Sequence, residues 1–467
     1  MSSQDDKKRE RDVRQSEEYR ETLGFLFDRI NYERQTKIPY SRRDMNLSRM
    51  RRLLELIDSP QQRLRVIHVA GTKGKGSTTA FLSAAFAAAG KRCGTYTSPH
   101  LHVVEERFCI NGVPCDPKDL VALIKFLRPA VVEMDEEYDA GGPTFFEIAT
   151  AIAFQYFVQQ QVDVAILEVG LGGRLDSTNV CEPLTSVITS ISFDHMKQLG
   201  NTLAEIATEK AGIIKPGIPV VSGVVRPEAK QVIEQIALER SATLSQREID
   251  FGYRDYTLQD QPGFHGRAAF YAGDHQLKDV ELGLIGEHQA ANASVAYAVL
   301  TGLVDPLRLS DKAIREGFAQ VRCAARIEQV STEPTVILDT AHNVASVESL
   351  LSAIQVSNHF RRRHLVLGTT NGKDIDGMLR LLVPCFDHII CTEYHENPRA
   401  YSAEKLFTQA NEIAKSSGAN ATIELRLTPE AAWSLLQESL EPNDVACVTG
   451  SFFIASEFRQ LIVDGTP

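Results

Sequence analysis

A glycine-rich segment carries the residue types that bind phosphate. An apolar run at residues 65–70 leads into residues 71–78, which read GTKGKGST, and a helix-like stretch of small residues follows. Glycines let backbone N–H groups turn toward an oxyanion, and a helix start adds a favourable dipole. Lys75 can reach the β- and γ-phosphates of a nucleotide, while Ser77 or Thr78 can offer a hydroxyl to Mg²⁺. The predicted nucleotide-binding residues are Gly71, Thr72, Lys73, Gly74, Lys75, Gly76, Ser77 and Thr78.

The spacing of this loop differs from the common phosphate-loop pattern. Gly76 separates Lys75 from the hydroxyl residues, which normally follow the lysine directly. The alternative is a glycine turn that only lets a strand and a helix pack closely. The flanking strand and helix favour the phosphate loop.

Short apolar runs alternate with amphipathic stretches along the chain. Runs rich in Val and Ile lie at residues 64–70, 162–169, 185–191, 218–221, 336–339, 364–367, 388–391 and 445–448. This alternation predicts an α/β protein with buried parallel sheets covered by helices. Residues 252–283 show turn signals and alternation, which predict a small antiparallel hairpin insert.

A length of 467 residues predicts two domains. The segment 305–311 reads DPLRLSD, and the strand–helix alternation begins again after it. We therefore expect a charged, disordered extension at residues 1–16, a phosphate-loop domain at 17–308 and a second α/β domain at 309–467. A ligand is expected where the two domains meet and where strands end.

Composition excludes several classes of protein. The net charge of -11 argues against nucleic-acid binding, which needs a basic patch. No apolar run is long enough for a membrane helix, and the N-terminus lacks the apolar core of a signal peptide. The eight cysteines contain no C-x-x-C pair, which favours reduced thiols without zinc or disulfides. A cytoplasmic protein is expected.

The loop and many later motifs resemble one family. The spacing of residues 71–78 resembles the variant phosphate loop of the Mur ligase superfamily, and HVAGTKGKGST (68–78) is similar to its folylpolyglutamate synthase/dihydrofolate synthase branch. The further motifs, in the family's order, are YTSPHL (96–101), EERFCINGV (105–113), TFFEIAT (144–150), LEVGLGGRLDSTN (167–179), SISFDH (190–195), EKAGIIKPG (209–217), EHQAANASVA (287–296), ILDTAHN (337–343), GKD (372–374) and VTGSFF (448–453). The resemblance extends over nearly the whole chain from about Tyr19.

This resemblance implies a fold and an activity. The fold is a Mur-ligase-like two-domain protein, with an ATP-binding domain followed by a smaller Rossmann-like glutamate-ligase domain. The activity is ATP-dependent addition of L-glutamate to the carboxylate of a folate or dihydropteroate through an acyl phosphate. ATP is the co-substrate, two Mg²⁺ ions are expected, and the enzyme is expected to be a monomer. The rivals are another ligase of the superfamily, disfavoured by the short stretch before the loop, and an inactive nucleotide-binding protein.

The resemblance also implies metal ligands beside the phosphate loop, since phosphoryl transfer depends on charge neutralisation. Ser77, Glu147 and His195 match these ligands. Two alternatives stay open: Glu147 is a charge favoured at a helix start, and His195 is a hydrogen-bonded histidine at a strand end.

Lys210 matches a lysine that the superfamily often carbamylates. Carbon dioxide attacks only a neutral amine, so the surroundings of Lys210 must disfavour its charge. A carbamate supplies an anionic oxygen to a metal ion. The alternative is an ordinary surface lysine on a helix.

The motif at residues 167–179 joins an apolar strand to a glycine turn. Its glycines indicate either close approach to a ligand or tight packing, and its polar residues fit turn chemistry equally well. The residues concerned are Gly170, Gly172, Gly173, Arg174, Asp176 and Asn179.

Further residues match binding positions of the family. Asn292, on a helix opened by His288 and Gln289, resembles a nucleotide-contacting asparagine; the alternative is a polar residue on a solvent face. Arg326 and Asp339 match nucleotide contacts, and Asp339 ends an apolar strand, where α/β sites gather. The remaining matches are His342 and Asn343 near the reacting phosphate or amine, Ser451 near the amino acid, and Ser98, Pro99 and His100 near the folate.

The sequence departs from the family at three places. Residues 323–326 read Cys-Ala-Ala-Arg where members commonly have Trp-Pro-Gly-Arg, and Thr340 replaces the glycine of Asp-Gly-Ala-His-Asn. Lys73 stands where bacterial members often have asparagine. Because the arginine, aspartate and histidine remain, the implied chemistry is retained, while the lost Trp-Pro pair affects the expected hinge and nucleotide stacking.

Overall fold

The computed structural model describes residues 9–31, 46–138, 141–259, 265–355, 360–395 and 397–464. The phosphate-loop half is built on an eight-stranded sheet in the order β4-β3-β2-β5-β1-β6-β7-β8. The strands are β1 Val66–Ala70, β2 Cys93–Tyr96, β3 Phe108–Ile110, β4 Val113–Pro114, β5 Val164–Glu168, β6 Pro183–Ile188, β7 Val220–Ser222 and β8 Leu244–Gln246. Strands β2, β5, β1, β6, β7 and β8 run parallel, and β3 and β4 add an antiparallel edge.

Helices precede and connect the strands of this sheet. They are α1 Glu17–Phe27, α2 Leu47–Glu55, α3 Lys75–Ala88, α4 Pro117–Glu137, α5 Phe145–Gln159, α6 Met196–Leu199, α7 Leu203–Ala211 and α8 Pro227–Glu239. The central strands β1 and β5 are buried along their whole length, which explains why their sequences are apolar apart from His68 and Glu168. Helix α3 is rich in alanine, and small side chains let it lie close to the sheet.

A three-stranded sheet follows, in the order β11-β10-β9. Its strands are β9 Phe251–Gln259, β10 His265–Ala272 and β11 His275–Leu282, and the helices after it are α9 Glu287–Gly302 and α10 Asp311–Gln320. Only two residues connect β10 to β11, a length that requires an antiparallel pair. The predicted hairpin is therefore present and carries one additional strand.

The last part of the chain forms a six-stranded sheet in the order β12-β13-β17-β14-β15-β16. The strands are β12 Glu328–Thr332, β13 Thr335–Leu338, β14 Arg363–Leu367, β15 His388–Cys391, β16 Thr422–Leu425 and β17 Val445–Thr449. All neighbours run parallel except β12 against β13. The helices are α11 Val344–Gln355, α12 Ile375–Leu382, α13 Ala403–Ser417, α14 Pro429–Ser439 and α15 Phe452–Arg459. Apolar clusters cover both faces of this sheet.

Residue contacts divide the chain into two compact units. The first contains residues 1–253, 270–277 and 291–318, and the second contains 254–269, 278–290 and 319–467. The expected boundary at 308–309 lies before α10, whereas the first unit continues through most of that helix. The second unit also includes parts of the three-stranded sheet, which the sequence prediction assigned to the first domain.

The predicted N-terminal extension differs from the structure over residues 9–16. Residues 9–14 are helical, and Ser16 caps α1 by accepting a hydrogen bond from the N–H of Tyr19. Arg14 Nε lies 3.2 Å from Oε1 of the fully buried Glu105. This part of the extension is therefore ordered because it has a buried ion-pair partner, while residues 1–8 lie outside the described ranges. No described helix has the length and apolarity to cross a membrane.

Candidate active site

The phosphate loop joins β1 to α3 and is held by the end of β6. Gly74 has φ 85°, in the left-handed region that favours glycine, and caps α3. The N–H of Thr72 donates to the carbonyl of Ser190 at 2.7 Å, and the Thr189 hydroxyl donates to the carbonyl of Lys73 at 2.6 Å. These bonds fix the backbone of the loop without using the first N–H groups of α3, which can then bind an anion.

Two glycines of the loop have no room for a side chain. A Cβ atom on Gly71 would lie 2.0 Å from the hydroxyl of Thr189, and one on Gly74 would lie 2.2 Å from Oδ1 of Asn292. The structure thus brings the predicted Asn292 against the loop. Ser77 and Thr78 are both buried at the start of α3, and the Thr78 hydroxyl has no hydrogen-bond partner among the described residues.

Glu168 is the carboxylate beside the phosphate loop. It ends β5, and its Oε1 lies 3.8 Å from Nζ of Lys75. A Cβ on Gly76 would lie 3.6 Å from its other oxygen. Sequence reasoning included Glu168 within a motif but did not select it. The missed signal is an acid at the carboxyl end of a buried parallel strand, immediately before a glycine turn.

Glu147 has a different setting. Its carboxylate accepts hydrogen bonds from Nε of Arg49 at 3.0 and 2.8 Å and from the backbone N–H of Thr144 at 2.8 Å. The Thr144 hydroxyl in turn accepts from the N–H of Glu147, which completes a capping box at the start of α5. These contacts are those of the helix-start alternative, with Arg49 as an ion-pair partner.

Lys210 is buried, with 5% of its surface exposed. Its Nζ donates a hydrogen bond to the carbonyl of Gly71 at 3.0 Å. Burial, together with the positive charge of Lys75, lowers the pKa of Lys210 to about 7. The alternative of an ordinary surface lysine is wrong, because the side chain is buried.

His195 lies in the segment that joins β6 to α6 and is the N-cap residue of α6, with φ 48°. Its side chain is 57% exposed, and its Nε2 is 3.9 Å from Oδ1 of Asp194. Asp194 also lies 3.8 Å from Nζ of Lys73, and its negative charge acts on Lys210. Asp194 therefore links the predicted metal-ligand region to the phosphate loop, and sequence reasoning missed it.

The glycine turn after Glu168 is held from inside by Asp176. The carboxylate of Asp176 accepts hydrogen bonds from the N–H groups of Gly170 and Leu171, both at 3.0 Å, and from the Thr178 hydroxyl at 2.5 Å. Asn179 donates to the carbonyl of Gly212 at 3.1 Å, directly after the helix of Lys210. A Cβ on Gly173 would lie 2.9 Å from the Lys210 carbonyl, so this glycine serves close packing.

The remaining residues of this turn and of the YTSPHL motif have structural partners. Arg174 pairs with Glu209 at 2.8 Å. His100 Nδ1 accepts from Nε of Arg107 at 2.7 Å, and the buried Arg107 guanidinium lies 5.1 Å from the centre of the Phe145 ring. These contacts hold the segment of Ser98, Pro99 and His100.

In the second unit, the end of β13 gathers several predicted residues. Asp339 accepts from the N–H groups of Ile327 at 3.0 Å and Ala341 at 2.7 Å. Burial raises the pKa of Asp339, and the nearby charge of Arg326 opposes that rise. Arg326 Nη1 donates to the Thr340 hydroxyl at 2.8 Å.

His342 and Ser451 lie on adjacent loops of this sheet. His342 Nδ1 is 2.9 Å from the carbonyl of Thr340, which can only accept, so Nδ1 carries the proton and Nε2 is the acceptor of the neutral ring. Asn343 caps α11 by accepting from the N–H of Ser346 at 3.0 Å. Ser451 is buried and caps α15, and the N–H of Gly450 donates to the carbonyl of Ala341 at 3.0 Å.

His288 belongs to the second unit as well. Burial and the charge of Arg326 lower its pKa to about 4, so the ring is neutral at physiological pH. Sequence reasoning noted His288 only as a residue at the start of a helix.

Two family matches cover most of the chain. The Mur ligase middle domain matches residues 69–300, and the Mur ligase glutamate ligase domain matches residues 325–452. The fold and the phosphate loop therefore define an ATP-dependent ligase of the acid–amino-acid class, built as a Mur-ligase-like two-domain α/β protein.

Individual relatives identify the branch. The dihydrofolate synthase/folylpolyglutamate synthase of Bacillus subtilis is 37% identical over 421 residues, covering 89% of this chain and 94% of the relative. The folylpolyglutamate synthase of Mycobacterium tuberculosis complexed with ADP has a TM-score of 0.83 at 31% identity, covering 95% of this chain and 98% of the other. A structure of the Escherichia coli relative with DHPP and ADP has a TM-score of 0.79 at 30% identity, with 96% and 98% coverage. The chain belongs to the folylpolyglutamate synthase/dihydrofolate synthase family.

Proposed function

We propose that this ligase joins the amino group of L-glutamate to the carboxylate of a folate, through an acyl phosphate. The folate carboxylate attacks the γ-phosphorus of ATP, the bond from that phosphorus to the bridging oxygen breaks, and ADP leaves. The glutamate amine then attacks the acyl carbon, phosphate departs, and the amine loses its proton. The observation that carries the proposal is the clustering of Lys75, Glu168 and Lys210 at a phosphate loop.

The phosphate loop binds and orients the nucleotide. Its N–H groups and the α3 dipole hold phosphate oxygens, and Lys75 neutralises charge on the transferred group. Glu168, 3.8 Å from the Lys75 amine, keeps that side chain directed toward the loop. Asn292, whose Oδ1 lies against Gly74, also contacts the nucleotide in this proposal.

The residues around the loop fit a hard divalent cation. Ser77 offers a buried hydroxyl and Glu168 offers a carboxylate. Within the described ranges, no three His, Cys, Asp or Glu side chains lie close enough together to hold a metal ion by themselves. A Mg²⁺ ion held by these residues would neutralise charge on the phosphate groups during phosphoryl transfer. We propose Ser77, Glu168 and His195 as ligands, with Glu168 in the role that the resemblance gave to Glu147.

Lys210 completes the anionic side of this site as a carbamate. A pKa of about 7 leaves much of the amine neutral at physiological pH, as carbon dioxide addition requires. The carbamate replaces a cation beside Lys75 with an anion, which removes a like-charge repulsion. A second Mg²⁺ ion then has an oxygen ligand from the protein.

In the second unit, the proposed substrate-binding and catalytic residues lie near the end of β13. Arg326 and Asp339 contact the nucleotide. His342, whose Nε2 is the acceptor in the neutral ring, takes the proton that the attacking amine releases. Ser451 contacts the amino-acid substrate, and the segment of Ser98, Pro99 and His100 contacts the folate.

The substrate range includes two acceptors in this proposal. Relatives carry the double name dihydrofolate synthase/folylpolyglutamate synthase, which supports action on both dihydropteroate and tetrahydrofolate. We also propose that the enzyme acts as a monomer in the cytoplasm.

Isotope transfer tests the acyl phosphate. With oxygen-18 in the reacting carboxylate of the folate, one labelled oxygen must appear in the released phosphate. Unlabelled phosphate from a reaction that forms the glutamylated product would contradict the intermediate.

A further inference from the structure

Thr340 follows the end of β13 and forms hydrogen bonds with the side chains of Arg326 and His342. It is buried, with 2% of its surface exposed, and its hydroxyl accepts a hydrogen bond from Nη1 of Arg326 at 2.8 Å. Its carbonyl accepts from Nδ1 of His342 at 2.9 Å. The carbonyl contact is available to any residue, whereas the hydroxyl contact depends on the threonine side chain.

The hydrogen bond from Arg326 to the Thr340 hydroxyl restricts a side chain that is exposed to solvent. An arginine on the surface has several flexible torsions, and ordering it costs entropy whenever it binds a ligand. One bond from a guanidinium to a buried hydroxyl removes much of that freedom before the ligand arrives. The Thr340 hydroxyl is a neutral acceptor, so this hydrogen bond does not itself neutralise the positive charge of Arg326, which also acts on the Asp339 carboxyl group.

The backbone on both sides of Arg326 supports the same arrangement. Ala325 and Ile327 have φ of 52° and 50°, and the N–H of Ile327 donates to Asp339 at 3.0 Å. The main chain is therefore tied to Asp339 while the side chain is tied to the next residue, Thr340. Both anchors lie at the same end of β13.

We propose that Thr340 is a positioning residue that preorganises Arg326 for the nucleotide, and that it raises nucleotide affinity in this chain. The inference rests on the proposed contact between Arg326 and the nucleotide. A glycine at position 340 would provide no hydroxyl, so the effect belongs to chains that carry Thr or Ser there.

The test compares four single variants of the full-length protein and one double variant, Thr340→Val in the Arg326→Ala background. Thr340→Val keeps the branched shape and removes the hydroxyl, Thr340→Ser keeps the hydroxyl, and Arg326→Ala removes the donor. Thr335→Val, at the other end of β13, is the matched control because the Thr335 hydroxyl donates to the carbonyl of Thr332, away from Arg326. Thr340→Ala replaces the valine variant if the latter does not fold.

The Michaelis constant for ATP and the calorimetric affinity for ADP are the readouts. Thr340→Val is expected to weaken both by about tenfold, the usual effect of one charged hydrogen bond, with kcat unchanged within about twofold. Thr340→Ser and Thr335→Val are expected to behave as the wild type. In the Arg326→Ala background, Thr340→Val is expected to have no further effect.

Three results would overturn the inference: unchanged nucleotide affinity in Thr340→Val, equal weakening with and without Arg326, or no effect of Arg326→Ala alone. These outcomes are separate from failure of the proposed reaction. If the wild type released no ADP in the presence of folate and glutamate, the reaction would be refuted, yet calorimetry with ADP would still decide the role of Thr340.

Discussion

The amine of Lys210 donates a hydrogen bond to the backbone carbonyl of Gly71, with Nζ and O 3.0 Å apart. This bond ties α7 to the first residue of the phosphate loop, and it places a buried lysine where its charge is disfavoured. In the proposed mechanism, this amine takes up carbon dioxide and becomes an anionic carbamate. Once carbamylated, the side chain would exchange this single bond for an oxygen ligand near the nucleotide.

Replacing Lys210 tests that role. Lys210→Ala is expected to lose at least about 100-fold in kcat, by analogy with removal of one preorganised charged group. Acetate or formate is expected to restore part of the activity by filling the vacated anionic position. Lys210→Arg is expected to stay inactive, since arginine cannot take up carbon dioxide.

A carbon-13 spectrum taken with labelled bicarbonate gives the independent readout. The wild type is expected to show a carbamate signal that Lys210→Ala lacks. An active Lys210→Arg enzyme without any carbamate signal would remove the carbamate from the mechanism.

Two acid-to-amide variants distinguish the metal ligand from the capping acid. Glu168→Gln is expected to lower kcat by at least about 100-fold and to raise the Mg²⁺ concentration needed, because a carboxylate at the phosphate loop is lost. Glu147→Gln is its matched control. Glutamine retains the capping box but loses the ion pair with Arg49, so the free energy of unfolding is expected to fall by about 1–3 kcal/mol.

Kinetics over a Mg²⁺ titration, together with denaturant unfolding, measure both effects. If Glu147→Gln carried the kinetic defect and Glu168→Gln did not, the metal ligand would be Glu147 as the resemblance implied.

Ala325 stores strain that a single substitution can release. Its φ of 52° lies in the left-handed region, where an alanine costs about 1–2 kcal/mol more than a glycine. Ala325→Gly is expected to raise the free energy of unfolding by about 0.5–1 kcal/mol after the larger unfolded-state entropy of glycine is subtracted. Ala324→Gly, the neighbouring control without a positive φ, is expected to destabilise the protein. Equal losses for both variants in denaturant unfolding would show that position 325 is not strained.

Buried neutral histidine makes the stability depend on pH. Burial lowers the pKa of His68 to about 3, and its Nε2 lies 2.8 Å from the Thr178 hydroxyl. Because the unfolded chain binds this proton near pH 6.5 and the folded chain does not, stability is expected to fall as pH drops from about 6.5 toward 3. The slope from this group approaches about 1.4 kcal/mol per pH unit.

His68→Gln is expected to flatten that part of the profile of unfolding free energy against pH. The substitution leaves the residues of the phosphate loop unchanged, because His68 lies inside β1, before the loop begins. An identical slope in the variant and the wild type would assign the pH dependence to other groups.

The sequence predicted the parts of the molecule that depend on local pattern. Each predicted apolar run overlaps a strand, because strands buried on both faces consist mostly of apolar residues. The phosphate loop was predicted from its own residues, since glycines and lysines between a strand and a helix are typical of phosphate binding. Lys210 was selected through resemblance, and the burial that lowers its pKa depends on residues far away in the chain.

Contacts between distant residues could not be predicted in the same way. Glu147 and Glu168 are both acids next to apolar residues, and only the tertiary fold pairs one with Arg49 and the other with Lys75. Similarly, only the tertiary fold joins Arg326 to Thr340, the residue that replaces the family's glycine, by a hydrogen bond of 2.8 Å. The sequence of residues 9–14 predicts a charged tail, yet Arg14 forms an ion pair with the buried Glu105.

The most direct test of the account is release of ADP, followed over a panel of acceptors and amino acids. The panel contains dihydropteroate, tetrahydrofolate and a UDP-muramyl precursor, each with L-glutamate and with other amino acids. ADP is expected to appear only when a pteroate or folate and L-glutamate are both present, with one glutamylated product per ADP. Release of ADP with the UDP-muramyl precursor, or without any need for glutamate, would contradict the assignment as a folate–glutamate ligase.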